Sequence, residues 1–554
     1  MSVRSLEPIT NVSAHLRLRA AEAPERVAVR GSDGRELTFG ELDRRVDAVA
    51  HGLGEIGFVR GDRACLFVRP GPELVLLTHA MLRAGVSPVL IDPGMGRRSL
   101  FACVERVAPR GLIGIPRAHA ARLLFPRSFR SVELSVIVGA PPVFAGLGGL
   151  GGHSLARLLK RGLRRGPAPD PTGLAADPDA EAAVLFTSGS TGPPKGVVYL
   201  HRNFLAQLES LRALYDLTPG EVDVPCFPLF ALFDNALGMT SVFPELDPSR
   251  PAECDPARIH AAIEESGATF TFGSPAIWKR LVPWAREHGA RFTRLRRLTI
   301  AGAPVAPSLV ADLKELLPAD GEVHTPYGAT EALPITSVSG TELAGRLRAR
   351  IEGGEGSCVG RPVPGVELAL VRITDEPIVR WSQDLVVPAG APGEVCVRCR
   401  AATPAYVNDD LATRAAKIPD GSGGSWHRMG DVGRLDKNGL LWLLGRKSHR
   451  IETVEGLVMP VPVENVFQTA KGVRRVALVG VGRRGTERPL LVVEVEPGAD
   501  EAAVEARLRS HRRDVPATWN VSTIRFHPSL PVDVRHNAKI RREELKRWAE
   551  ARGL

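Results

Sequence analysis

Apolar residues recur at helical spacing in some segments of this chain and form short continuous runs in others. The two patterns alternate, which predicts helices and buried strands in regular succession. Thr38-Phe-Gly-Glu41 matches a capping box, so a helix is predicted to begin there. The apolar positions behind it that share helical spacing are Leu42, Val46, Val49, Leu53 and Ile56. Short apolar runs at 64–68 and 86–91 predict strands, and residues 73–84 between them predict a helix.

The same alternation continues through most of the chain and indicates an α/β fold with mostly parallel sheets. Further predicted elements are a strand at 182–186, helices at 259–266 and 307–317, and strands at 268–272 and 322–325. From Leu444 the pattern changes to short strands at 476–481 and 490–495 with helices at 501–510 and 541–551. We therefore predict a large N-terminal domain, residues 1–444, and a small α+β C-terminal domain, residues 445–554.

Composition excludes several classes of protein. The 554 residues are 44% hydrophobic and 24% charged, as in ordinary globular proteins. The net charge of +10 comes from arginines scattered along the chain without an aromatic–basic motif, so no nucleic-acid partner is predicted. Seven cysteines are too few for a disulfide framework, and Cys396 and Cys399 fall on opposite faces of a predicted strand at 393–398. No signal core or long apolar stretch is present, which predicts a cytoplasmic location.

Two segments are predicted to be insertions or connections. Residues 140–178 are rich in Gly, Pro and Arg, and within them residues 153–165 form a basic amphipathic helix. That helix either packs on its own domain or makes weak contact with a membrane surface. Residues 420–424 predict a flexible loop.

The run Phe-Thr-Ser-Gly-Ser-Thr-Gly-Pro-Pro-Lys-Gly at 186–196 is a candidate phosphate-binding loop. Its glycines allow close backbone approach to an anion, successive N–H groups can form a nest, and hydroxyls and a lysine add donors. It is not a Walker A loop, because glycine rather than Ser or Thr follows the lysine. The plain alternative is a surface linker. The candidate binding residues are Thr187, Ser188, Gly189, Ser190, Thr191, Gly192 and Lys195.

Two later runs have the chemistry to complete a nucleotide site. In Tyr327-Gly328-Ala329-Thr330-Glu331 an aromatic ring can stack on a purine, a hydroxyl can contact phosphate and a carboxylate can bind Mg²⁺. Asp431, after Gly430, could accept hydrogen bonds from both hydroxyls of a ribose. Each run alone is typical of an ordinary turn.

Taken together, these runs resemble the acyl-adenylating superfamily, which includes acyl-CoA synthetases, luciferases and peptide-synthetase adenylation domains. The resemblance implies ATP and Mg²⁺ as cofactors, an N-terminal adenylation domain, and a mobile C-terminal lid with the active site between them. It implies catalytic roles for Thr330 and Glu331, the latter as a Mg²⁺ ligand, and for Lys539, which stabilises charge on the α-phosphate and carboxylate. Nucleotide contacts are implied for Gly302, Ala303, Tyr327, Gly328, Ala329, Asp431 and Arg446.

The chain departs from the superfamily pattern where thioester formation needs its features. Ser448 replaces the usual hinge aspartate and Glu452 the usual lysine. Glu455 stands where a glycine normally opens the pantetheine path, and Ala231 stands where acyl-CoA synthetases commonly carry histidine. These departures count against thioester formation and leave the adenylating residues intact.

Three runs, at 227–234, 327–336 and 531–540, resemble one branch of the superfamily, the β-lactone synthetases of bacterial long-chain olefin biosynthesis. This resemblance implies ATP-dependent activation of a long-chain 2-alkyl-3-hydroxy acid, followed by attack of its own hydroxyl to close a β-lactone. It also implies assembly with other enzymes of the hydrocarbon pathway. The alternatives are a long-chain acyl-CoA synthetase and an acyl-AMP-binding subunit without turnover. The intact set Lys195, Glu331, Asp431 and Lys539 argues against the last.

Substrate contacts are the least constrained part of the prediction. Phe230 and Phe233, together with Phe227, Met239 and Trp278, either line an acyl pocket or pack in the core. His536 is a candidate to assist the substrate hydroxyl. His201 is instead interpreted as a structural residue.

Overall fold

The computed structural model describes residues 9–139, 152–165, 177–187, 193–521, 523–532 and 540–554, without the side chains of 513 and 514. Within these ranges the helices are α1 (Val12–Glu22), α2 (Phe39–Glu55), α3 (Pro72–Ala84), α4 (Arg97–Val107), α5 (Pro116–Leu124), α6 (Leu155–Arg165), α7 (His201–Tyr215), α8 (Ala231–Leu237), α9 (Pro256–Ser266), α10 (Pro275–His288), α11 (Pro307–Leu316), α12 (Gly340–Ala344), α13 (Arg348–Arg350), α14 (Asp410–Ala416), α15 (Pro460–Gln468), α16 (Glu501–Asp514) and α17 (Arg542–Glu550).

The strands of the described ranges are β1 (Val27–Arg30), β2 (Glu36–Thr38), β3 (Arg63–Phe67), β4 (Ser87–Leu90), β5 (Gly111–Gly114), β6 (Leu134–Ile137), β7 (His153–Ser154), β8 (Glu181–Phe186), β9 (Gly196–Leu200), β10 (Val222–Pro225), β11 (Thr240–Val242), β12 (Phe270–Gly273), β13 (Arg297–Ile300), β14 (Glu322–Ala329), β15 (Ala332–Ser339), β16 (Ser357–Pro362), β17 (Glu367–Val371), β18 (Gly393–Arg398), β19 (Ala405–Tyr406), β20 (Lys417–Pro419), β21 (Ser425–Leu435), β22 (Leu441–Arg446), β23 (Ile451–Thr453), β24 (Gly456–Val458), β25 (Val473–Val481), β26 (Arg488–Val495) and β27 (Thr523–Phe526).

Two large sheets form the frame of the molecule. One has fourteen strands in the order β17-β18-β21-β22-β16-β15-β14-β13-β12-β10-β11-β1-β2, with β20 paired to β21. The other has eight strands in the order β19-β9-β8-β4-β3-β5-β6-β7. Helices pack on these sheets, which confirms the α/β class, and large apolar clusters lie between the layers.

The sheets are mixed, so the expectation of mostly parallel strands holds for only part of each. Strands β10 to β14 and β3 to β8 run parallel, joined by helical crossovers. From β14 onward the pairs are antiparallel, beginning with the hairpin β14–β15. The predicted strand at 322–325 accordingly continues to Ala329. Antiparallel strands can be joined by short turns, whereas parallel strands need a crossover that is usually a helix. This half of the sheet therefore lacks the strand–helix alternation that the sequence shows elsewhere.

Local signals in the N-terminal half are confirmed. The capping box at Thr38 is present: its side chain accepts from the Glu41 backbone, and the Glu41 side chain accepts from the Thr38 backbone. The basic helix α6 packs against α2, where Leu158 lies against Gly52 and a Cβ at Gly162 would meet the Ala48 carbonyl at 2.4 Å. The apolar face of α6 is thus mostly covered by its own domain.

Residues after Leu444 have apolar cores of their own. Sheet β25–β26–β27 packs α15 and α16 on one face and α17 on the other.

Residues 420–424, predicted as a flexible loop, form a turn in which the Asp420 carboxylate accepts hydrogen bonds from the Ser422 and Gly424 backbone. Cys396 and Cys399 lie in different apolar clusters. No helix in the described ranges is long and apolar enough to cross a membrane.

Candidate active site

The turn between β14 and β15 carries Thr330 and Glu331, at the point where the large sheet changes from parallel to antiparallel pairing. Tyr199 donates from its hydroxyl to the Thr330 carbonyl at 2.5 Å. Thr403 donates from its backbone N–H and its hydroxyl to the Glu331 carbonyl at 2.8 and 3.1 Å. The backbone of the turn is therefore fixed from two directions, which leaves both side chains at a defined place.

The two ends of the phosphate-binding loop are joined to each other. The Thr187 N–H donates to the Lys195 carbonyl at 3.0 Å, and the Lys195 N–H donates to Thr187 Oγ1 at 3.3 Å. The loop follows β8 and leads into β9, as its predicted position after a buried strand requires. Ser188, Gly189, Ser190, Thr191 and Gly192 lie outside the described residues.

Tyr406, a residue that no local sequence pattern indicates, connects the phosphate-loop lysine to the turn glutamate. Its hydroxyl donates to Glu331 Oε1 at 2.7 Å, and Lys195 Nζ lies 4.9 Å from the centre of its ring. Strand β19 places it beside β9, with Tyr406 opposite Val197. Burial and the neighbouring Glu331 raise the pKa of Tyr406, so its phenol remains a neutral donor.

A buried lysine and histidine lie near the same carboxylate. Lys417 and His427 are cross-strand partners on β20 and β21 and are almost fully buried. Lys417 Nζ and His427 Nδ1 have no hydrogen-bond partner among the described atoms. Burial lowers the pKa of Lys417 to about 8, while the Glu331 charge opposes this shift. Burial, reinforced by Lys417, also holds the pKa of His427 well below its usual value.

The residues predicted to bind the nucleoside meet at one point. Tyr327 donates from its hydroxyl to Asp431 Oδ2 at 2.6 Å, and Arg446 Nε lies 3.2 Å from Asp431 Oδ1. Asp431 and Arg446 are register partners on β21 and β22. The Asp431 charge raises the pKa of Arg446, and burial, followed by Asp431, raises the pKa of Tyr327. The result is an ordered carboxylate with a cation and a phenol beside it.

Two glycines occupy positions that disfavour a side chain. Gly302 follows β13 with φ of 93°, a left-handed value that favours glycine. A Cβ at Gly328 would lie 2.8 Å from the Ala332 carbonyl across the hairpin. Ala303 and Ala329 follow these glycines, and both line one large cavity.

One cavity of about 3370 Å³ is lined by every predicted catalytic and nucleotide-binding residue that the structure describes, together with Phe230 and Phe233. These lining residues are Thr187, Lys195, Phe230, Phe233, Gly302, Ala303, Tyr327, Gly328, Ala329, Thr330, Glu331, Asp431 and Arg446. The sequence runs that lie far apart in the chain therefore face one space.

Aromatic rings form part of the lining of the cavity. Phe230 stacks on Phe272 with ring centres 4.1 Å apart, and Phe227 and Phe233 meet Phe230 edge to face at 6.2 and 6.0 Å. Phe227, Phe230 and Phe233 line the cavity, and Phe233 also belongs to the buried apolar cluster that contains Met239. Met239 and Trp278 are wholly buried in apolar clusters instead, which supports the core interpretation for these two.

Lys539 and His536 lie outside the described residues. The segment that carries them is closed at its base, where Val532 pairs with Ile540 and the Arg541 N–H donates to the Pro531 carbonyl at 2.8 Å. Ile540 and Arg541 line the main cavity. His201 is buried at the start of α7, and burial lowers its pKa to about 4.

Three of the residues that depart from the superfamily pattern, Ser448, Glu452 and Glu455, lie in a short segment with its own ion pairs, whereas Ala231 begins α8. Lys447 pairs with the buried Glu394 at 3.0 Å, and Ser448 follows it in a single helical turn. Glu452 accepts from Arg450 and Arg484, both at 2.9 Å. Glu455 lies in the exposed turn between β23 and β24, and its side chain makes no contact with the cavity.

Comparison with known proteins agrees with this geometry. Residues 16–407 match the family described as AMP-binding enzyme. The olefin beta-lactone synthetase of Stenotrophomonas maltophilia is 45% identical over 98% of both chains. A long-chain-fatty-acid–CoA ligase of Thermus thermophilus is 30% identical over 57% of this chain and 56% of its own.

Solved structures share the fold along almost the whole chain. The amide bond synthetase McbA from Marinactinospora thermotolerans is 26% identical, with a TM-score of 0.79, over 97% of this chain and 99% of its own. The O-succinylbenzoate coenzyme A synthetase of Bacillus subtilis, solved in complex with ATP and magnesium ion, is 21% identical over 96% of this chain and 99% of its own. Its TM-score is 0.72, and this likeness concerns the fold alone.

Proposed function

Since the chain belongs to the AMP-binding enzyme family and is an acid-activating, AMP-forming ligase, we propose that it converts a long-chain 2-alkyl-3-hydroxy acid to a β-lactone. In the first half-reaction a carboxylate oxygen attacks the α-phosphorus of ATP and pyrophosphate leaves. In the second, the 3-hydroxyl oxygen attacks the acyl carbon, the bond to AMP breaks and the hydroxyl proton is released. The second nucleophile is part of the substrate, so it reacts at high effective molarity.

The described residues fit ATP. The Asp431 carboxylate, held by Tyr327 and Arg446, can accept from ribose hydroxyls. Thr187 and Lys195 stand at the two ends of the phosphate-binding loop, where anionic oxygens would gather. Thr330 faces the same cavity. The ends of the loop and the β14–β15 turn would together hold the phosphates of ATP.

The residues also fit a magnesium ion that is held mainly by the nucleotide. No group of three or more His, Cys, Asp or Glu side chains suited to a metal occurs in the described ranges. Glu331 offers one carboxylate, and Mg²⁺ is commonly bound by one or two carboxylates together with phosphate oxygens and waters. Bound there, magnesium would neutralise phosphate charge. Tyr406 orients the carboxylate through its hydrogen bond.

The observation that most supports lactone formation is the full-length similarity to an olefin beta-lactone synthetase, at 45% identity over 98% of both chains. The replaced hinge residues Ser448 and Glu452 agree with it, since a lactone-forming enzyme needs no pantetheine path. The aromatic part of the cavity lining provides apolar surface for a long chain. The partial similarity to a long-chain-fatty-acid–CoA ligase makes thioester formation the second candidate.

The two candidates differ in the nucleophile, so matched substrates separate them. We would incubate the enzyme with ATP, Mg²⁺ and either a 2-alkyl-3-hydroxy acid or its 3-deoxy analogue, each with and without CoA, and identify products by mass spectrometry. The hydroxy acid is expected to give β-lactone, AMP and pyrophosphate, with no effect of CoA. The deoxy acid is expected to stop at the acyl-AMP, because no nucleophile lies within reach of the acyl carbon.

The controls follow from the same design. Pyrophosphate release in the deoxy reactions shows that the first half-reaction still proceeds. Substantial acyl-CoA from the deoxy acid would contradict the lactone assignment and favour the CoA ligase. Absence of any adenylate from either acid would contradict the substrate class.

The site geometry predicts that metal and nucleotide affinities can be changed separately. Glu331→Gln should raise the magnesium concentration needed for half-maximal adenylation, because one anionic ligand is lost. Tyr406→Phe should do the same by about tenfold, since it removes a hydrogen bond to a charged group. Asp431→Ala should instead raise the KM for ATP at saturating magnesium.

Separate titrations of each variant with ATP and with Mg²⁺ measure these effects. Tyr215→Phe serves as a tyrosine control, because its buried ring packs on Phe270 and His324 and takes no part in holding Thr330 or Glu331. Its magnesium dependence should stay near wild type. Identical ATP and Mg²⁺ profiles for Glu331→Gln and Asp431→Ala would contradict the division of roles.

A further inference from the structure

Although basic residues occur along the whole chain, one segment has a marked local excess of positive charge. Residues 97–132, which contain α4 and α5, include eight arginines and one glutamate, a net charge of +7 against +10 for the whole chain. Arg106 pairs with Asp409, and Arg110 pairs with Asp62 and Glu133. In the part of the chain that the structure describes, no carboxylate lies within salt-bridge distance of the other six. These are Arg97, Arg98, Arg117, Arg122, Arg127 and Arg130.

The same segment exposes consecutive large apolar side chains. Leu123, Leu124 and Phe125, at the end of α5, are 55%, 74% and 41% exposed. They form the one run of three adjacent exposed large hydrophobics in the described ranges. Such a surface is costly in water and marks a site of interaction. Of the six arginines, Arg122 donates a hydrogen bond to the Val132 carbonyl at 2.9 Å. We call the three apolar residues and the six arginines without a carboxylate partner the α4–α5 patch.

The patch is continuous with the cavity of the active site. Leu124, Phe125 and Arg117 belong to the patch and also line that cavity. The Phe125 ring lies 4.3 Å from Phe101, which in turn meets Phe129 at 6.0 Å, and all three rings line the same space. An apolar molecule at the surface of the patch is thus next to an opening toward the site.

We propose that the α4–α5 patch docks on an anionic lipid bilayer and brings the opening of the cavity to the membrane surface. Arginines would face the lipid phosphates while Leu123, Leu124 and Phe125 enter the boundary between headgroups and acyl chains. The proposal rests on the proposed function for its purpose, because a long-chain acid dissolves in membranes far better than in water. Helix α6 is a weaker candidate, since Arg161 and Arg165 are paired with Glu55 and its leucines at 155 and 158 are buried.

Vesicle co-sedimentation of the full chain tests the docking directly. Two kinds of vesicle would be used, pure phosphatidylcholine and phosphatidylcholine with about 30% phosphatidylglycerol, at low salt. We expect binding to the anionic vesicles at least about tenfold stronger than to the neutral ones, and weakening as NaCl rises from about 0.05 to 0.5 M.

Two variants separate the apolar and electrostatic contributions to vesicle binding. Leu123→Asp and Arg127→Glu alter patch residues that do not line the cavity, and each should reduce binding to anionic vesicles about tenfold. The matched controls are Val379→Asp, at a side chain that is 86% exposed elsewhere, and Arg44→Glu, at an exposed arginine of α2. Both controls should bind as wild type does.

Circular dichroism and ATP–pyrophosphate exchange with acid dissolved in detergent show whether each variant is folded and active without vesicles. Failure to bind anionic vesicles, as expected if an acidic protein were the partner instead, overturns the proposal. Equal binding to both lipids, or binding unaffected by both patch variants, also overturns it. The lactone assay in detergent does not depend on docking, so its failure would concern the proposed function alone.

Discussion

Replacing Lys539 with alanine is expected to slow pyrophosphate release about a hundredfold, the effect of losing one preorganised charge contact in the transition state. We expect this lysine to stabilise charge on the α-phosphate and carboxylate while the bond to pyrophosphate breaks. That charge develops only during reaction, so the affinity for ATP should change little. Single-turnover measurement of pyrophosphate release, together with an ATP-binding titration, separates the two quantities.

Lys471→Ala is the matched control, because Lys471 is an exposed lysine of the same C-terminal region. Its rate of pyrophosphate release should equal that of wild type. The segment around Lys539 is closed at its base by the pairing of Val532 with Ile540, next to the cavity. A Lys539→Ala rate within about twofold of wild type would show that another group supplies the charge contact.

The second large effect concerns stability. Glu394→Ala should lower the free energy of unfolding by about 3–5 kcal/mol, because it leaves buried cations unpaired. Glu394 is wholly buried on β18, where it accepts from Arg428 at 2.7 and 3.1 Å and pairs with Lys447 at 3.0 Å. The arginine side chain is 2% exposed, so water cannot replace the lost carboxylate.

Glu367→Ala provides the control for this measurement. Glu367 pairs with Arg398 at 2.7 Å between β17 and β18, but both side chains are largely exposed. Its loss should cost about 0–1 kcal/mol. Urea denaturation followed by near-ultraviolet circular dichroism is suitable, because the stacked pair Trp381–Trp426 lies in the same part of the sheet. Equal losses of unfolding free energy for the two variants would contradict the expectation that burial makes the Glu394 ion pairs more important for stability.

Local patterns were enough to predict much of the fold. The capping box at Thr38 and the apolar run that became β8 depend on neighbouring residues, and both are confirmed. The antiparallel half of the large sheet was missed, because strand alternation does not state which strands pair. The extension of β14 through Pro326 to Ala329 was missed for the same reason: it is stabilised by β15.

The candidate site shows the same limit. Tyr327, Thr330, Glu331 and Asp431 belong to short runs with recognisable chemistry, and the structure brings them to one cavity. Tyr406 contacts a glutamate 75 residues away and is placed by pairing with β9, so no local signal marks it. Lys417 likewise has no local signal, because its lowered pKa results from burial beside β21.

The position of Tyr406 between Glu331 and Lys195 has a thermodynamic consequence. One phenol contacts the carboxylate and faces the ammonium, so any shift of its ring changes the energy of both groups together. Binding of the metal at the Glu331 carboxylate and binding of the triphosphate at Lys195 are then linked equilibria, and linkage is reciprocal. Whatever free energy the metal gains when the triphosphate is in place, the triphosphate gains by the same amount from the metal.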